Sequence, residues 1–288
     1  MEVPQIAKTA QHLQAVRLVA SDLDGTLLRP DGTISKQTIA LLQDIQQAGI
    51  TVVLVSAQPP RIVRKIARLV GVAGLAICSN GAIIYDLDQE SIIQHTPLLP
   101  ELATSLVHRL RREIPNLCFA CESGLTFQCE PDYYRLCQIQ EPFPPSINDA
   151  LVFCKEPVTK LIALHPTYTA EELSKLTAHF ADKEVTITHS SVSFLEISAA
   201  GTHKALALAW LCKKLEIVAS EVIAFGDMPN DISMLRWAGY SVAVANAHPL
   251  VQREADEITL SNGEDGVAFV LKRLLVFGNE RSAHPQTG

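Results

Sequence analysis

Arg17-Leu18-Val19-Ala20-Ser21-Asp22-Leu23-Asp24-Gly25-Thr26 is a short apolar run that stops at two acids, a glycine and a hydroxyl. The same pattern returns further along the chain. Thr51-Val52-Val53-Leu54-Val55 runs into Ser56-Ala57-Gln58, and Val222-Ile223-Ala224-Phe225 runs into Gly226-Asp227-Met228-Pro229-Asn230-Asp231. Ser241-Val242-Ala243-Val244 leads in the same way into Ala245-Asn246-Ala247. Continuous β-branched and aliphatic runs of this length suit strands covered on both faces, as in a parallel sheet. Helical patterns lie between them. Ser35 precedes helically spaced apolar residues from Lys36 to Ile45, and Gly49 stands where a C-terminal cap would sit. A second helix is expected from about Pro60 through Leu69, stopping at Gly71. Strands alternating with helices imply a doubly wound, Rossmann-like α/β fold with a parallel sheet. In such sheets ligands bind beyond the carboxyl ends of the strands, which is where the polar clusters fall.

The chain has 288 residues, with 48% hydrophobic and 19% charged, so it can bury a substantial core. Its formal net charge of -7 argues against a general binder of nucleic acid or anionic membrane, whose affinity comes from dense Lys and Arg. An acidic enzyme acting on an anionic ester must instead draw local positive charge from a metal ion or a few placed cations. The seven Cys form no framework: Cys118 and Cys121 have CxxC spacing, but Cys129 and Cys137 are too far apart to make a second pair. A zinc site is therefore the weaker reading, and free thiols in a reducing cytoplasm the better one. The N-terminal run MEVPQIAKTAQHLQAV lacks an apolar core and contains an acid and no Arg, unlike a signal or transit peptide. No stretch has the length of a membrane span, so a soluble cytoplasmic protein is expected.

From about Asp86 to Ile197 the alternation is less regular, with more Pro, Cys and aromatic residues. Strand-like pieces fall at 117–120, 125–128 and 160–164; 170–180 reads as a helix, and 185–188 with 192–197 as paired strands. This middle region reads as an inserted α+β domain. The expected division is core 1–86, inserted domain 87–198, core 199–277, and a tail from Gly278 to Gly288 without order.

Asp22 and Asp24 stand two positions apart at a strand end. Side chains alternate along extended backbone, so the loop must turn for both acids to face one site, and Gly25 permits that turn. One ionised carboxylate can be a covalent nucleophile. The other, when protonated, can protonate a leaving alcohol and afterwards activate water. An acidic calcium loop is the alternative, but an EF-hand needs Gly at the sixth position, which here is Leu27. Asp227 and Asp231 add acids after another strand, giving an oxygen-rich set that suits magnesium; Asp231 could instead merely cap the helix expected from Ile232. Lys204 opens the helical stretch Lys204–Leu211, where a cation opposes the helix dipole unless a phosphate is bound there. Ser56 ends a strand with a hydroxyl that can reach a phosphoryl oxygen or cap the next turn. Asn80-Gly81 reads first as a hairpin turn, and His203 as a solvent-facing neighbour of Lys204.

Asp-x-Asp, Ser, Lys and Gly-Asp-x-x-Asn-Asp, in that order, resemble the haloacid dehalogenase superfamily. The large insertion between Ser56 and Lys204, the Asn80 turn and Ala245-Asn246-Ala247 resemble its Cof-type phosphatases with an α/β cap (subclass IIB), over nearly the whole chain. The resemblance implies Asp22 as nucleophile and Asp24 as general acid/base. It implies phosphate binding by the Leu23 N–H, Ser56, the adjoining Ala57, Lys204 and Asn230. It also implies Mg2+ held by Asp22, Asp227 and the main-chain carbonyl of Asp24, with Asp231 in support. Where the family has Thr-Gly-Arg, this chain has Ser56-Ala57-Gln58: the hydroxyl stays, while the Gly and Arg are gone. A magnesium-dependent phosphatase acting on a small-molecule phosphate ester is the expected function. Sugar phosphates are the first class, and flavin-pathway or pyridoxal phosphates further ones. A phosphomutase, or a sensor that kept the site without turnover, are the rivals. Glu122, Arg135, Lys160 and His189 are the cap residues expected near the substrate.

Overall fold

A computed structural model of the chain describes residues 13–137, 146–180, 183–189 and 192–283, with side chains as far as 276. The first part of the core runs β1 (Leu18–Asp22), α1 (Lys36–Gln47), β2 (Thr51–Val55), α2 (Pro60–Val70), β3 (Leu75–Cys78), β4 (Ile83–Asp86) and β5 (Ser91–His95). The inserted part runs α3 (Pro100–Glu113), β6 (Cys118–Ser123), β7 (Thr126–Cys129), α4 (Pro131–Cys137), β8 (Ser146–Ile147), α5 (Ala150–Phe153), β9 (Lys160–Leu164), α6 (Ala170–Thr177), β10 (Val185–Thr188) and β11 (Phe194–Ala199). The chain then returns to the core through α7 (Lys204–Lys214), β12 (Val222–Gly226), α8 (Ile232–Trp237), β13 (Tyr240–Ala243), α9 (Pro249–Glu254), β14 (Glu257–Ile258) and α10 (Gly266–Ala283).

The core sheet has the order β14-β13-β12-β1-β2-β3-β4-β5, parallel from β14 to β3 and ending in an antiparallel hairpin. Every residue of β1 and β12 is buried, as their unbroken apolar runs require. Helix boundaries follow local chemistry. Ser35 accepts the Thr38 N–H at 3.0 Å to cap α1, and Pro60 opens α2, which stops at Gly71 in the left-handed conformation. From β1 the chain moves outward to β2 and β3; from β12, beside β1, it moves the opposite way to β13 and β14. The crevice between the ends of β1 and β12 is thus the topological switch point, where a ligand site belongs. Ser21 pairs with Phe225 in register, so Asp22 and Asp227 leave the sheet almost level.

The inserted domain is a six-stranded sheet, β10-β11-β9-β6-β7-β8, antiparallel except for β7 with β8. On one face Leu106, Phe153 and Leu173 from α3, α5 and α6 pack on Phe119, Leu161 and Ile197. On the other, Cys118, Ala120 and Ile162 meet Tyr133 of α4, with Phe194 against them. The α+β cap on a doubly wound core is therefore the fold of this chain.

Two boundaries differ from expectation. Ser91–His95, placed by composition in the insertion, pairs with β4 in the core sheet, and the chain crosses to the cap only between Thr96 and Leu98. A polar turn explains the misreading: Asp86 accepts the N–H groups of Asp88 and Gln89, which makes an ordinary hairpin resemble a linker. At the other end, α10 continues through Gly278 to Ala283, because one glycine weakens a helix by only about 1 kcal/mol without forbidding propagation. The rest of the expected tail, 284–288, lies outside the described residues. No helix among the described residues is long and apolar enough to cross a membrane.

Candidate active site

At the end of β1 the backbone coils through Leu23–Leu27, closed by Leu28 N–H donating to Leu23 C=O at 2.8 Å. Gly25 makes the coil possible twice over. Its φ of +83° is strained for any side chain, and a Cβ there would lie 2.2 Å from Asp227 Oδ2. Asn246, at the end of β13, donates to the Gly25 carbonyl at 2.8 Å; Asn262 donates to Asn246 through its N–H and to the Leu28 carbonyl through its amide. The acid loop is therefore held from β13 and the loop before α10 as well as from β1.

Lys204, the first residue of α7, is wholly buried and donates to Asp22 Oδ1 at 2.5 Å and to Asp231 Oδ1 at 2.6 Å. Asp231 Oδ2 accepts the N–H groups of Asp227 and Met228 at 3.0 and 2.9 Å. Asp231 therefore does not cap α8 with its side chain, which was one reading of it; it braces the turn that carries Asp227. Thr26 donates to Asp227 Oδ1 at 3.0 Å. Burial pushes the Asp22 carboxyl well up, and the Asp231 and Asp227 charges add to this, against the Lys204 ammonium. Burial and the Asp231 charge push Asp227 up to about 7. Burial alone would lower the Lys204 ammonium, but the charges of Asp22 and Asp231 outweigh it and hold it above its ordinary value.

Oxygens of Asp22, Asp227 and Asp231 lie within 4.8 Å of one another. Three buried carboxylates face one ammonium, so the cluster lacks positive charge. Both Asp231 oxygens are already engaged, whereas Asp22 and Asp227 each keep an oxygen clear of the hydrogen bonds described. Hard oxygen donors around a small gap fit a magnesium ion. Zinc through the cysteines does not fit: Cys118 and Cys121 belong to opposite faces of β6, packed into different apolar clusters. Burial pushes the Cys118 thiol up to about 12.

A cavity of about 220 Å³ opens over this cluster, lined by Asp22, Asp24, Ala57, Gln58, Asp227, Met228 and Asn230 from the core and Phe194 from the cap. Asp24 is exposed to it while Asp22 is almost buried. Leu23, Ser56 and Lys204 lie behind this lining and are fully buried. The Ser56 hydroxyl accepts the Gln58 N–H at 3.0 Å, which shapes the turn at Ala57. Ala57 needs no left-handed backbone there, so the turn stands without glycine. His203 lies outside the cavity, where its side chain accepts the Leu206 N–H and caps α7.

Of the cap residues expected near the substrate, none lines the cavity. Glu122 is paired with Arg61 of α2, and Lys160 donates to the Ala57 carbonyl at 2.8 Å and to Glu196 at 2.5 Å. Arg135 pairs with Asp132 on the exposed face of α4, and His189 is likewise elsewhere. The residues that sequence reasoning missed are Thr26, Arg61, Phe194 and Glu196. Only the last two carried a signal, since alternation along β11 sends both to one face.

The sequence matches the haloacid dehalogenase-like hydrolases over residues 19–271, and the chain belongs to that family. It is a phosphatase, with the Cof-type arrangement of an α/β cap inserted in the core. The 5-amino-6-(5-phospho-D-ribitylamino)uracil phosphatase YcsE of Bacillus subtilis (strain 168) is 30% identical over 259 residues, covering 89% of this chain and 95% of the relative. The HMP-PP phosphatase of Serratia proteamaculans (strain 568) is 28% identical over 245 residues, covering 81% and 85%. A haloacid dehalogenase-like hydrolase from Bacteroides thetaiotaomicron superposes with a TM-score of 0.76 at 30% identity, over 90% of this chain and 99% of that one. The subclass IIB sugar phosphatase BT4131 shares the fold, with a TM-score of 0.79 at 20% identity over 91% and 100%.

Proposed function

We propose that the chain hydrolyses the phosphate ester of a small metabolite, with magnesium, through an aspartyl-phosphate on Asp22. The observation that carries this is the placing of Asp22 and Asp24 on one small cavity, with Asp22 bonded to a buried ammonium. A magnesium ion would be held by the Asp22 and Asp227 carboxylates and the Asp24 main-chain carbonyl, and when bound it supplies charge neutralisation for the phosphoryl oxygens.

The Asp22 carboxylate attacks phosphorus in line, and the bond from phosphorus to the ester oxygen breaks. Asp24 gives its proton to that departing oxygen. Lys204, the Leu23 N–H, the Ser56 hydroxyl with the adjoining Ala57, and Asn230 hold the phosphoryl oxygens. Asp24, now a carboxylate, takes a proton from water as its oxygen attacks phosphorus. The bond between phosphorus and Asp22 then breaks and inorganic phosphate leaves. The cap, proposed as the segment inserted after the first core part, closes for chemistry and opens for release. Free thiols at every described cysteine support a cytoplasmic setting.

Sugar phosphates are the proposed substrate class. A polyol phosphate bearing a pyrimidine is the second, favoured by the likeness to YcsE and by the Phe194 ring at the cavity wall. Asp22→Asn should lose magnesium-dependent release of phosphate from an aryl phosphate while folding normally; near wild-type turnover in that variant would overturn the reading. A panel of phosphorylated metabolites, scored for free phosphate and for isomer formation, then separates hydrolysis from phosphomutase action. Silence on every substrate would favour a sensor.

A further inference from the structure

A chain of buried hydrogen bonds joins the cap to the wall of the active-site cavity, and its direction is set from the cap end. Lys160 donates to Glu196 Oε1 at 2.5 Å, so Glu196 is an ionised carboxylate with only acceptors to offer. Its Oε2 must receive an amide N–H, and Asn80 Nδ2 supplies it at 3.1 Å. Asn80 is thereby turned so that its Oδ1 faces Asn230, whose Nδ2 donates at 3.0 Å. Neither amide can reverse without opposing oxygen to oxygen. Asn230 lines the cavity, and its own Oδ1 is buried with no partner among the described residues. That acceptor suits a hydroxyl or water brought in with a ligand, while the second N–H of Asn230 Nδ2 is left for a phosphoryl oxygen.

The turn that carries Asn80 is built for this position. Ser79, Asn80 and Gly81 all have positive φ, of 51°, 56° and 97°. A Cβ on Gly81 would lie 2.7 Å from the His203 carbonyl, so the turn presses on the start of α7. Ser79 N–H to Gln58 C=O and Asn80 N–H to Ser56 C=O tie it to the turn after β2. Non-glycine residues persist in this conformation when their surroundings over-determine them, typically at functional sites.

We propose that Glu196 is a positioning residue: seated against the core, it fixes the direction of the Asn80 and Asn230 amides and so makes the site competent only when the cap is in place. The inference rests on the phosphatase reading and specifies how its cap is sensed. A glutamine at 196 keeps the shape, but with its oxygen held by Lys160 it turns a nitrogen toward Asn80, so both amides are driven to reverse.

The test uses the whole enzyme with magnesium and p-nitrophenyl phosphate. Glu196→Gln and Asn80→Ala should each lower kcat/KM by about ten- to a hundredfold, the loss expected of sub-ångström misplacement. Inorganic phosphate should weaken as a competitive inhibitor in both. The double variant should lose no more than the worse single one, because both cut the same chain. Multiplying losses, or wild-type kcat/KM in Glu196→Gln, would overturn the proposal. Should Glu196→Gln melt early because Lys160 is stranded, Lys160→Met/Glu196→Gln removes the buried cation and is expected to show the same kinetic loss. Asp22→Asn serves as the control: if it stays silent while Glu196→Gln is fully active, only the positioning role falls; if it turns over, the phosphatase reading itself falls.

Discussion

The empty side of Gly25 is occupied by Asp227: a methyl group on the glycine would sit 2.2 Å from the Oδ2 of that carboxylate. The loop after β1 and the loop after β12 thus interlock at a point where no side chain is admitted. Gly25→Ala should displace Asp227 and strain a φ of +83° together. We expect kcat/KM to fall by about a hundredfold or more, as ångström displacements of reacting groups do. Magnesium titration of activity should show a matching rise in the concentration needed. Unchanged metal dependence in a folded Gly25→Ala protein would be inconsistent with the interlock.

Lys204→Met leaves Asp22 and Asp231 as buried carboxylates without their shared ammonium. Breaking such a pair costs about 3–5 kcal/mol, far more than the loss of a surface bridge. Chemical denaturation should show that drop at neutral pH, with the deficit shrinking in Lys204→Met/Asp231→Asn, which removes one stranded charge.

Ser56→Ala removes a fully buried hydroxyl that accepts the N–H of half-buried Gln58. Stability should fall by about 1 kcal/mol, the usual worth of such a local side-chain bond. If the hydroxyl also meets the phosphoryl group, competitive inhibition by inorganic phosphate weakens in the same variant; a stability loss with unaltered inhibition confines Ser56 to shaping the turn.

Arg29 donates to both oxygens of Asp265, at 3.0 and 2.6 Å, and so clamps the start of α10 to the loop after β1. Burial pushes the Asp265 carboxyl up, but the hydrogen bonds from Arg29 and its neighbours outweigh this and hold it below the usual range. A depressed carboxylate contributes stability that is complete above its unfolded pKa of about 3.9 and is lost as pH falls through the lower folded value. The melting temperature of Asp265→Asn should therefore trail that of the parent at pH 7. The gap should narrow below about pH 4, the unfolded range of an aspartate. A gap independent of pH in calorimetric scans would rule out the clamp as its cause.

The core is legible in the sequence because each buried strand is an unbroken apolar run that ends in polar residues, and both facts follow from parallel-sheet chemistry. Asp22, Asp24, Asp227 and Asp231 stand out for the same reason. What lies across the cap boundary has no local signature. Lys160 and Glu122 look free to greet a substrate, yet their partners, the Ala57 carbonyl and Arg61, are chosen by how two sheets face each other. Asn80 is a hairpin turn as its Asn-Gly pair suggests, but its amide is claimed by Glu196, 116 residues away. The strand Ser91–His95 is hidden behind a polar turn that imitates a linker.

The parallel pairing of β1 with β12 sets a schedule for the newborn chain. Leu18 finds Val222 only after about 200 further residues have been made, including the whole cap. At roughly 5–20 residues per second that is a wait of about 10 to 40 seconds for a strand buried throughout in the finished fold. During that interval β1 can be protected only by β2 and β3, on its other side. The cap, whose strands pair largely with close neighbours, can be complete before the catalytic crevice exists. A ribosome-stalled chain ending before β12 should therefore present a folded cap and an open hydrophobic edge, a natural point of capture for a chaperone.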